Sequence, residues 1–161
     1  MQEMNIRPIQ KKDLSDVLDL IKELAVYEKE PDAVEIDEYD LAKSAFGDPP
    51  DFSCLVAEVN EQVLGMALFY HRFSTWKGKS IHLEDLIVTK KYRQQGIGKA
   101  LFEAVLHEAH QQKLKRVEWV VLDWNRSAID FYKKYQATIF DDWRTVQIDE
   151  ENLKKFANAS L

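Results

Sequence analysis

The sequence predicts a mixed α/β fold built on a central, mostly antiparallel sheet flanked by helices. Three observations lead there. Apolar residues recur at helical spacing near the start, after a glycine-rich loop and in one short later segment. Between the first two helical stretches, strand-like runs are separated by short turns. One strand, helix and strand then follow in the order of a crossover unit. Strands joined by short turns pair antiparallel, whereas a crossover returns the chain parallel, so both kinds of pairing are expected in one sheet.

NIRPI (5–9) reads as a short opening strand. Leu14, Val17, Leu18, Ile21, Leu24 and Ala25 then form one apolar stripe of a helix that fades near Tyr27-Glu28. Asp13 is placed to cap that helix, with Asp16 in the position of a capping-box acid. Acids are dense from Glu28 to Asp40, and a second short helix is expected from about Asp37 to Phe46, before Gly47 and Pro49-Pro50. Phe52–Val59 and Val63–Tyr70 read as a hairpin turning at Asn60-Glu61-Gln62. A polar loop with Trp76 and Gly78 leads to a strand over Ser80–Val88. After the glycine-rich loop comes a helix bearing Ile97, Leu101, Ala104, Val105 and Ala109. RVEWVVLDW (116–124) reads as a buried strand, Arg126–Tyr135 as a short helix and Trp143–Ile148 as a last strand before a polar turn or helix.

A chain of 161 residues, 45% hydrophobic and 11% aromatic, is expected to fold as one domain over 1–161 with a real core. Twenty-two Lys plus Arg against 28 Asp plus Glu leave a net charge of −6. That balance speaks against a generic nucleic-acid binder or a polybasic membrane-surface protein. No apolar run approaches the ~20 residues of a membrane span, and MQEMNIRPIQ lacks the basic-then-apolar order of a signal peptide. The lone cysteine, Cys54, cannot form an intrachain disulfide and suits a reducing compartment. A soluble, cytoplasmic protein is therefore expected.

The richest segment is Arg93-Gln94-Gln95-Gly96-Ile97-Gly98-Lys99, between a strand and a helix. The first N–H groups of a helix lack partners and carry the positive end of its dipole. Glycines leave room for an anion beside them, and Arg93 and Lys99 add charge. A Walker A loop would need glycine where Arg93 stands and Ser or Thr where Ala100 stands. A dinucleotide fingerprint would need a third glycine at Leu101. What remains suits a phosphate or pyrophosphate, with a plain helix-starting turn as the competing reading.

Arg93-x-x-Gly96-x-Gly98 after LEDLIV resembles motif A of the GNAT acetyltransferase superfamily, and DWNRSAIDFYKKY resembles its motif B. IRPI, LIKELAVYE (20–28), CLVAEV (54–59), HLEDLIV (82–88), NRSAIDFYKKY (125–135) and WRTVQID (143–149) resemble one branch of it. That branch holds the spermidine/spermine (diamine) acetyltransferases and their thialysine-acetylating relatives. The resemblance implies a GNAT fold with its β-α-β crossover at an acetyl-CoA site. It also implies acetyl-CoA as co-substrate with no metal, a small cationic amine as acceptor, direct attack in a ternary complex, and a homodimer.

The same resemblance assigns roles. Tyr132 corresponds to the general acid that protonates the departing thiolate, as a phenol with a pKa of about 10 can do at neutral pH. Packing along its helix with Ile129, Phe131 and Tyr135 is the plainer alternative. Glu84 is the candidate for taking the amine's proton or holding its cation. Adjacent Glu84 and Asp85 are expected on opposite faces of their strand, with Asp85 the weaker candidate. Leu86, Ile87 and Val88 would offer backbone groups to the pantetheine arm. Arg93, Gln94, Gln95, Gly96, Ile97, Gly98 and Lys99 would hold the pyrophosphate. Asn125, Arg126, Ser127, Ala128, Tyr132 and Tyr135 would contact CoA, although Asn125 also suits a plain helix N-cap. Tyr27, Glu28, Glu84, Glu118, Trp119, Val120 and Asp141 fall at amine-side positions, with Trp143 close by.

Three departures from the branch stand out. Ser74-Thr75 precede Trp76 where the polyamine enzymes carry an Asp, so one cation anchor is missing. Gln136 replaces a glycine after the motif B helix, and the segment before Trp143 is shorter. Cys54 reads as a buried structural thiol, His107 and His110 as exposed helix residues rather than metal ligands, and Asn158-Ala159-Ser160 as a sequon without a secretory context.

Overall fold

The computed structural model describes residues 4–158. Met1 to Glu3 of the expected leaderless N-terminus, and the last two residues of the Asn158-Ala159-Ser160 sequon, lie outside the described residues. The chain forms two compact units, one up to Leu122 and one from Asp123.

The first unit holds β1 (Met4–Pro8), α1 (Leu14–Tyr27), α2 (Glu38–Ala45), β2 (Ser53–Val59), β3 (Gln62–Ser74), β4 (Gly78–Val88), α3 (Ile97–Gln111) and β5 (Val117–Glu118). The sheet order is β1-β2-β3-β4-β5. Pairing is antiparallel through β4, and β5 returns parallel to β4 after the α3 crossover. This is the mixed, mostly antiparallel sheet expected. The β2–β3 hairpin turns on Asn60 and Glu61, both at positive φ (50° and 64°), the geometry whose twist suits a two-residue loop.

Leu14, Val17, Leu18 and Leu20 of α1 and Leu41 of α2 pack with Cys54, Val56, Met66, Leu68 and Ile87 on one face of the sheet. On α3, Leu101, Phe102 and Val105 are fully buried, and Leu101 lies over Gly65 of β3. Fully burying such side chains contributes about 1.5–3 kcal/mol each. Gly65 is required by close approach: a Cβ there would come within 2.7 Å of the Ile87 carbonyl oxygen.

Asp37 caps α2 by accepting from the Asp40 amide (3.0 Å), and the Asp40 carboxylate accepts back from the Asp37 amide (3.2 Å). Asp13 does not cap α1 with its side chain. It is buried and bound to the Arg7 guanidinium at 2.6 and 3.0 Å, and it accepts from the Gln10 amide at 2.7 Å. A charge-assisted fork to arginine is stronger than one neutral cap, so Asp13 turns inward.

Two strand expectations are corrected. Only Val117 and Glu118 of the 116–124 run pair with the sheet, and Val120 is 72% exposed. The 143–148 run forms no strand, and Trp143, Val146 and Ile148 are exposed. Its apolar pattern suits a sheet surface, but the second unit has no strand among its described residues to complete the ladder. That unit contains α4 (Arg126–Lys133) and α5 (Glu150–Asn158), the latter resolving the expected turn or helix as a helix.

Candidate active site

Cross-strand partners share a sheet face, as do residues two apart on one strand. Leu68 and Tyr70 of β3 therefore face the same way, and their partners on β4 are Asp85 and His82. Those partners are three residues apart, which a regular strand would put on opposite faces. The difference is a β-bulge: Leu68 pairs with Asp85 but Phe69 with Leu83, leaving Glu84 as the extra residue. Glu84 joins the same face, its Oε2 accepting from the Tyr70 hydroxyl at 3.0 Å and lying 3.5 Å from His82 Nε2. Glu84 and Asp85, expected on opposite faces, thus share one. The bulge is the physical reason.

Burial holds His82 below its ordinary pKa, with Glu84 countering only in part, so its contact with Glu84 is not a strong ion pair. Burial and the Glu84 carboxylate together raise the Tyr70 phenol. Asp85 sits beside Leu68, whose other cross-strand neighbour is Cys54. Burial pushes its carboxyl up to about 6, aided by the negative charges of Glu84 and Glu28. Desolvation raises Glu28 as well. Cys54 is buried with its thiol pushed up to about 12, which makes it inert.

Downstream of Val88 a single 3₁₀ turn, Lys90–Tyr92, leads into the glycine loop. Arg93 folds back: its Nε donates to the Val88 carbonyl at 2.8 Å, its Nη2 lies 3.4 Å from Glu23 Oε1, and its guanidinium stacks 4.9 Å from the Tyr27 ring. Glu23 also accepts from the Lys90 amide at 2.7 Å. Arg93 and Tyr27 therefore brace the loop against α1. Gln94, Gln95 and Gly96 are exposed, Gln94 and Gly96 have positive φ (64° and 86°), and no side chain caps α3. Gly96 is needed for its backbone conformation. Gly98 is not, because its φ is ordinary and a Cβ there would meet Val88 Cγ2 at an unstrained 3.5 Å. Packing does not explain the bareness of Gly98, whereas an anion approaching the helix amides does. Ile97 is buried and offers only backbone, and Lys99 is exposed, 3.9 Å from Glu103. These features fit the pyrophosphate of acetyl-CoA.

β5 pairs with β4 only at Ile81↔Val117 and His82↔Glu118. From Leu83 to Val88 the outer edge of β4 has no strand neighbour among the described residues, so backbone of Leu86 and Ile87 can serve an extended ligand arm. Other expected amine-side residues are engaged. Glu118 is ion-paired to Arg72 at 2.6 Å and Arg116 at 3.0 Å, and Trp119 packs edge-on against Phe102 at 5.3 Å. Ser74, standing near the missing anchor, accepts from the Trp76 and Lys77 amides and closes the β3–β4 turn.

In the second unit Asn125 Oδ1 accepts from the Ala128 amide at 3.2 Å, so Asn125 is the N-cap of α4. Arg126 and Ser127 are exposed on its first turn and Ala128 is half-buried. Tyr132 is buried, and burial pushes its phenol up to about 12. The Phe131 ring packs edge-on against the Tyr132 and Tyr135 rings, 5.3 Å from each. Gln136 takes a left-handed turn (φ 57°) after α4, where the branch's glycine would do so without strain. Asp141 and Trp143 are exposed.

Sequence reasoning passed over Glu23, Tyr70 and His82. No motif marks them, since their roles follow from a strand register and a helix placement that residue patterns do not reveal. Among the described residues no group of three or more His, Cys, Asp or Glu could hold a metal, and no helix is long and apolar enough to cross a membrane.

Residues 14–137 match the acetyltransferase (GNAT) family. The chain belongs to the GNAT acetyltransferase family. It is closely related to the thialysine and spermidine/spermine branch of these enzymes. It is 37% identical over 163 residues to thialysine N-epsilon-acetyltransferase of Bos taurus, covering 94% of this chain and 96% of that one. It is 33% identical over 167 residues to spermidine/spermine N(1)-acetyltransferase-like protein 1 of Homo sapiens, covering 98% of this chain and 24% of that one. An integron cassette protein from the mobile metagenome of V. cholerae shares the fold, with a TM-score of 0.80 at 24% identity over 99% of this chain and all of that one.

Proposed function

We propose that this GNAT acetyltransferase moves the acetyl group of acetyl-CoA to a primary amine of a small cationic substrate, a diamine, polyamine or lysine-like amino acid such as thialysine. The amine attacks directly in a ternary complex. The observation that carries this reading is the acidic face at the β4 bulge, where Asp85 lies within the field of both Glu84 and Glu28, on the strand that runs into the glycine loop. Such a face attracts and orients an ammonium. The relatives named for thialysine and spermidine/spermine acetylation support the same substrate class.

In this reading acetyl-CoA supplies the acyl group, the amides at the start of α3 hold its pyrophosphate, and the open edge of β4 orients its arm. Glu28 and Glu84 draw in the cation, and Tyr132 gives its proton to the departing thiolate. The chain works as a single domain over 1–161, as a cytoplasmic homodimer, without a metal, a nucleic acid or a membrane.

The test is release of CoA thiol from acetyl-CoA across spermidine, spermine, putrescine, lysine, thialysine and a lysine-containing peptide. Turnover of at least one small amine is expected, and the preferred one names the branch. A signal from the peptide alone would move the protein to protein-lysine acetylation. Acetyl-CoA binding without turnover on any acceptor would make it a binding module.

A further inference from the structure

We propose that Arg72 of β3 binds a carboxylate on the acceptor, so that the substrate taken best is an amino acid with a basic side chain rather than a diamine or polyamine. The inference rests on the amine-acetylating reading and deepens it. One face of the sheet carries the argument. Tyr70 and Arg72 are two residues apart on β3, Tyr70 pairs with His82 of β4, and His82 pairs with Glu118 of β5. With Glu84 brought over by the bulge, these side chains form one charged row.

The two ends of the row have opposite sign. At one end Glu84 accepts from the Tyr70 hydroxyl at 3.0 Å, and Asp85, within the field of Glu84 and Glu28, adds negative charge. At the other end Arg72 lies 2.6 Å from Glu118, but Arg116 shares that carboxylate at 3.0 Å. Two guanidiniums against one carboxylate leave a positive charge in excess. The contacts are also poorly directed: Arg116 Nε and Glu118 Oε1 are buried yet make no hydrogen bond among the described residues. His82 stands between the ends, its Nδ1 3.3 Å from Arg72 Nη1 and its Nε2 3.5 Å from Glu84 Oε2. A neutral imidazole protonated on Nε2 accepts from the arginine and turns its N–H to the carboxylate, so it spaces the two charges without cancelling either.

Arg72 has room for a further anion. Its side chain is half exposed, and no hydrogen bond engages its Nε or Nη2 among the described residues. Those two N–H groups share one edge of the guanidinium and match the two oxygens of a carboxylate. Two residues of strand set Tyr70 and Arg72 about 7 Å apart. In extended ornithine or lysine the side-chain nitrogen and the carboxylate carbon are about 6–7 Å apart by ordinary bond lengths. An ammonium at Glu84 therefore carries its carboxylate to Arg72. A diamine of the same length would bring a second ammonium to the end with excess positive charge, and that like-charge contact selects against it.

The experiment compares matched acceptors, ornithine with putrescine and lysine with cadaverine, each pair differing only in the carboxylate. Wild type, Arg72→Gln and Arg72→Lys are assayed for kcat/KM on both members. Wild type should favour the amino acid of at least one pair by tenfold or more, with the acetyl group on the side-chain nitrogen by NMR. Arg72→Gln should lower that preference at least tenfold, mainly through the KM of the amino acid. Arg72→Lys, which keeps the charge, should keep more of the preference than Arg72→Gln. Each ratio is taken on one preparation, so a partly unfolded variant does not distort it. A smaller preference in wild type, a smaller drop in Arg72→Gln, or acetyl on the α-nitrogen overturns the proposal. If wild type acetylates no amine, the proposed function has failed and takes this inference with it. If wild type acetylates diamines as well as their amino acids or better, only this inference has failed.

Discussion

Tyr132 and Asp85 are both shifted upward by burial, with opposite consequences for their charge state at neutral pH. A phenol pushed up to about 12 stays protonated throughout the physiological range. A carboxyl pushed up to about 6 remains mostly ionised at neutral pH. Replacing Tyr132 with Phe removes one oxygen from a buried ring and leaves the packing of α4 in place. We expect kcat to fall about 10² to 10³-fold, with KM for both substrates within a few-fold and an unchanged circular dichroism spectrum. Steady-state kinetics across pH 6–9 measures this, and a kcat within threefold of wild type would remove Tyr132 from the chemistry. At this scale legibility was uneven. Tyr132 is singled out by its motif and Glu84 by the branch resemblance, whereas the shared face of Glu84 and Asp85 is hidden because alternation along a regular strand separates neighbours. One inserted residue reverses that inference, and nothing in HLEDLIV announces it.

Among the elements, the start of α3 offers the sharpest contrast between shape and use. Gly96 and Gly98 look equivalent in the sequence, but only Gly96 has a backbone that asks for glycine. Gly98→Ala should therefore leave stability unchanged or raise it by up to about 1 kcal/mol, since alanine outranks glycine in a helix. The same change should weaken acetyl-CoA binding at least tenfold by placing a methyl where the phosphate approaches. Thermal melts and calorimetry on one preparation check both halves. An unaltered affinity would return the loop to a plain helix-starting turn. The sheet was legible up to β4 because each hairpin carries its own turn chemistry, as Asn60-Glu61 does. Past Glu118 the apolar runs at 119–122 and 143–148 resemble strands by composition. A strand, unlike a helix, needs a neighbour to complete its hydrogen bonds, and local pattern cannot say whether one is present.

Across the whole molecule, the buried Asp13 and the half-buried Asp85 pull the pH dependence of stability in opposite directions. Arg7 bonds Asp13 and Glu58, tying β1 to the turn before α1 and to β2. Its guanidinium holds the Asp13 carboxyl below the usual carboxylate range. A depressed folded pKa contributes stability that is present above the unfolded value and lost as pH falls through the folded one. Asp85 has the reverse sign. Its folded pKa of about 6 exceeds the ordinary 3.8, so the protein is relatively more stable below pH 4 on this account and loses that advantage as pH rises to 6. Two pKa units correspond to about 2–3 kcal/mol. The free enzyme should thus be most stable where the two windows meet, near pH 4, with its thermal midpoint declining from there to about pH 6.5. Asp85→Asn should flatten that decline, because the charge whose burial is unfavourable is gone, while leaving the acid-side loss due to Asp13 intact. A scan of thermal midpoint against pH for wild type and variant decides it. Parallel curves would mean that Asp85 is solvated well enough to titrate normally.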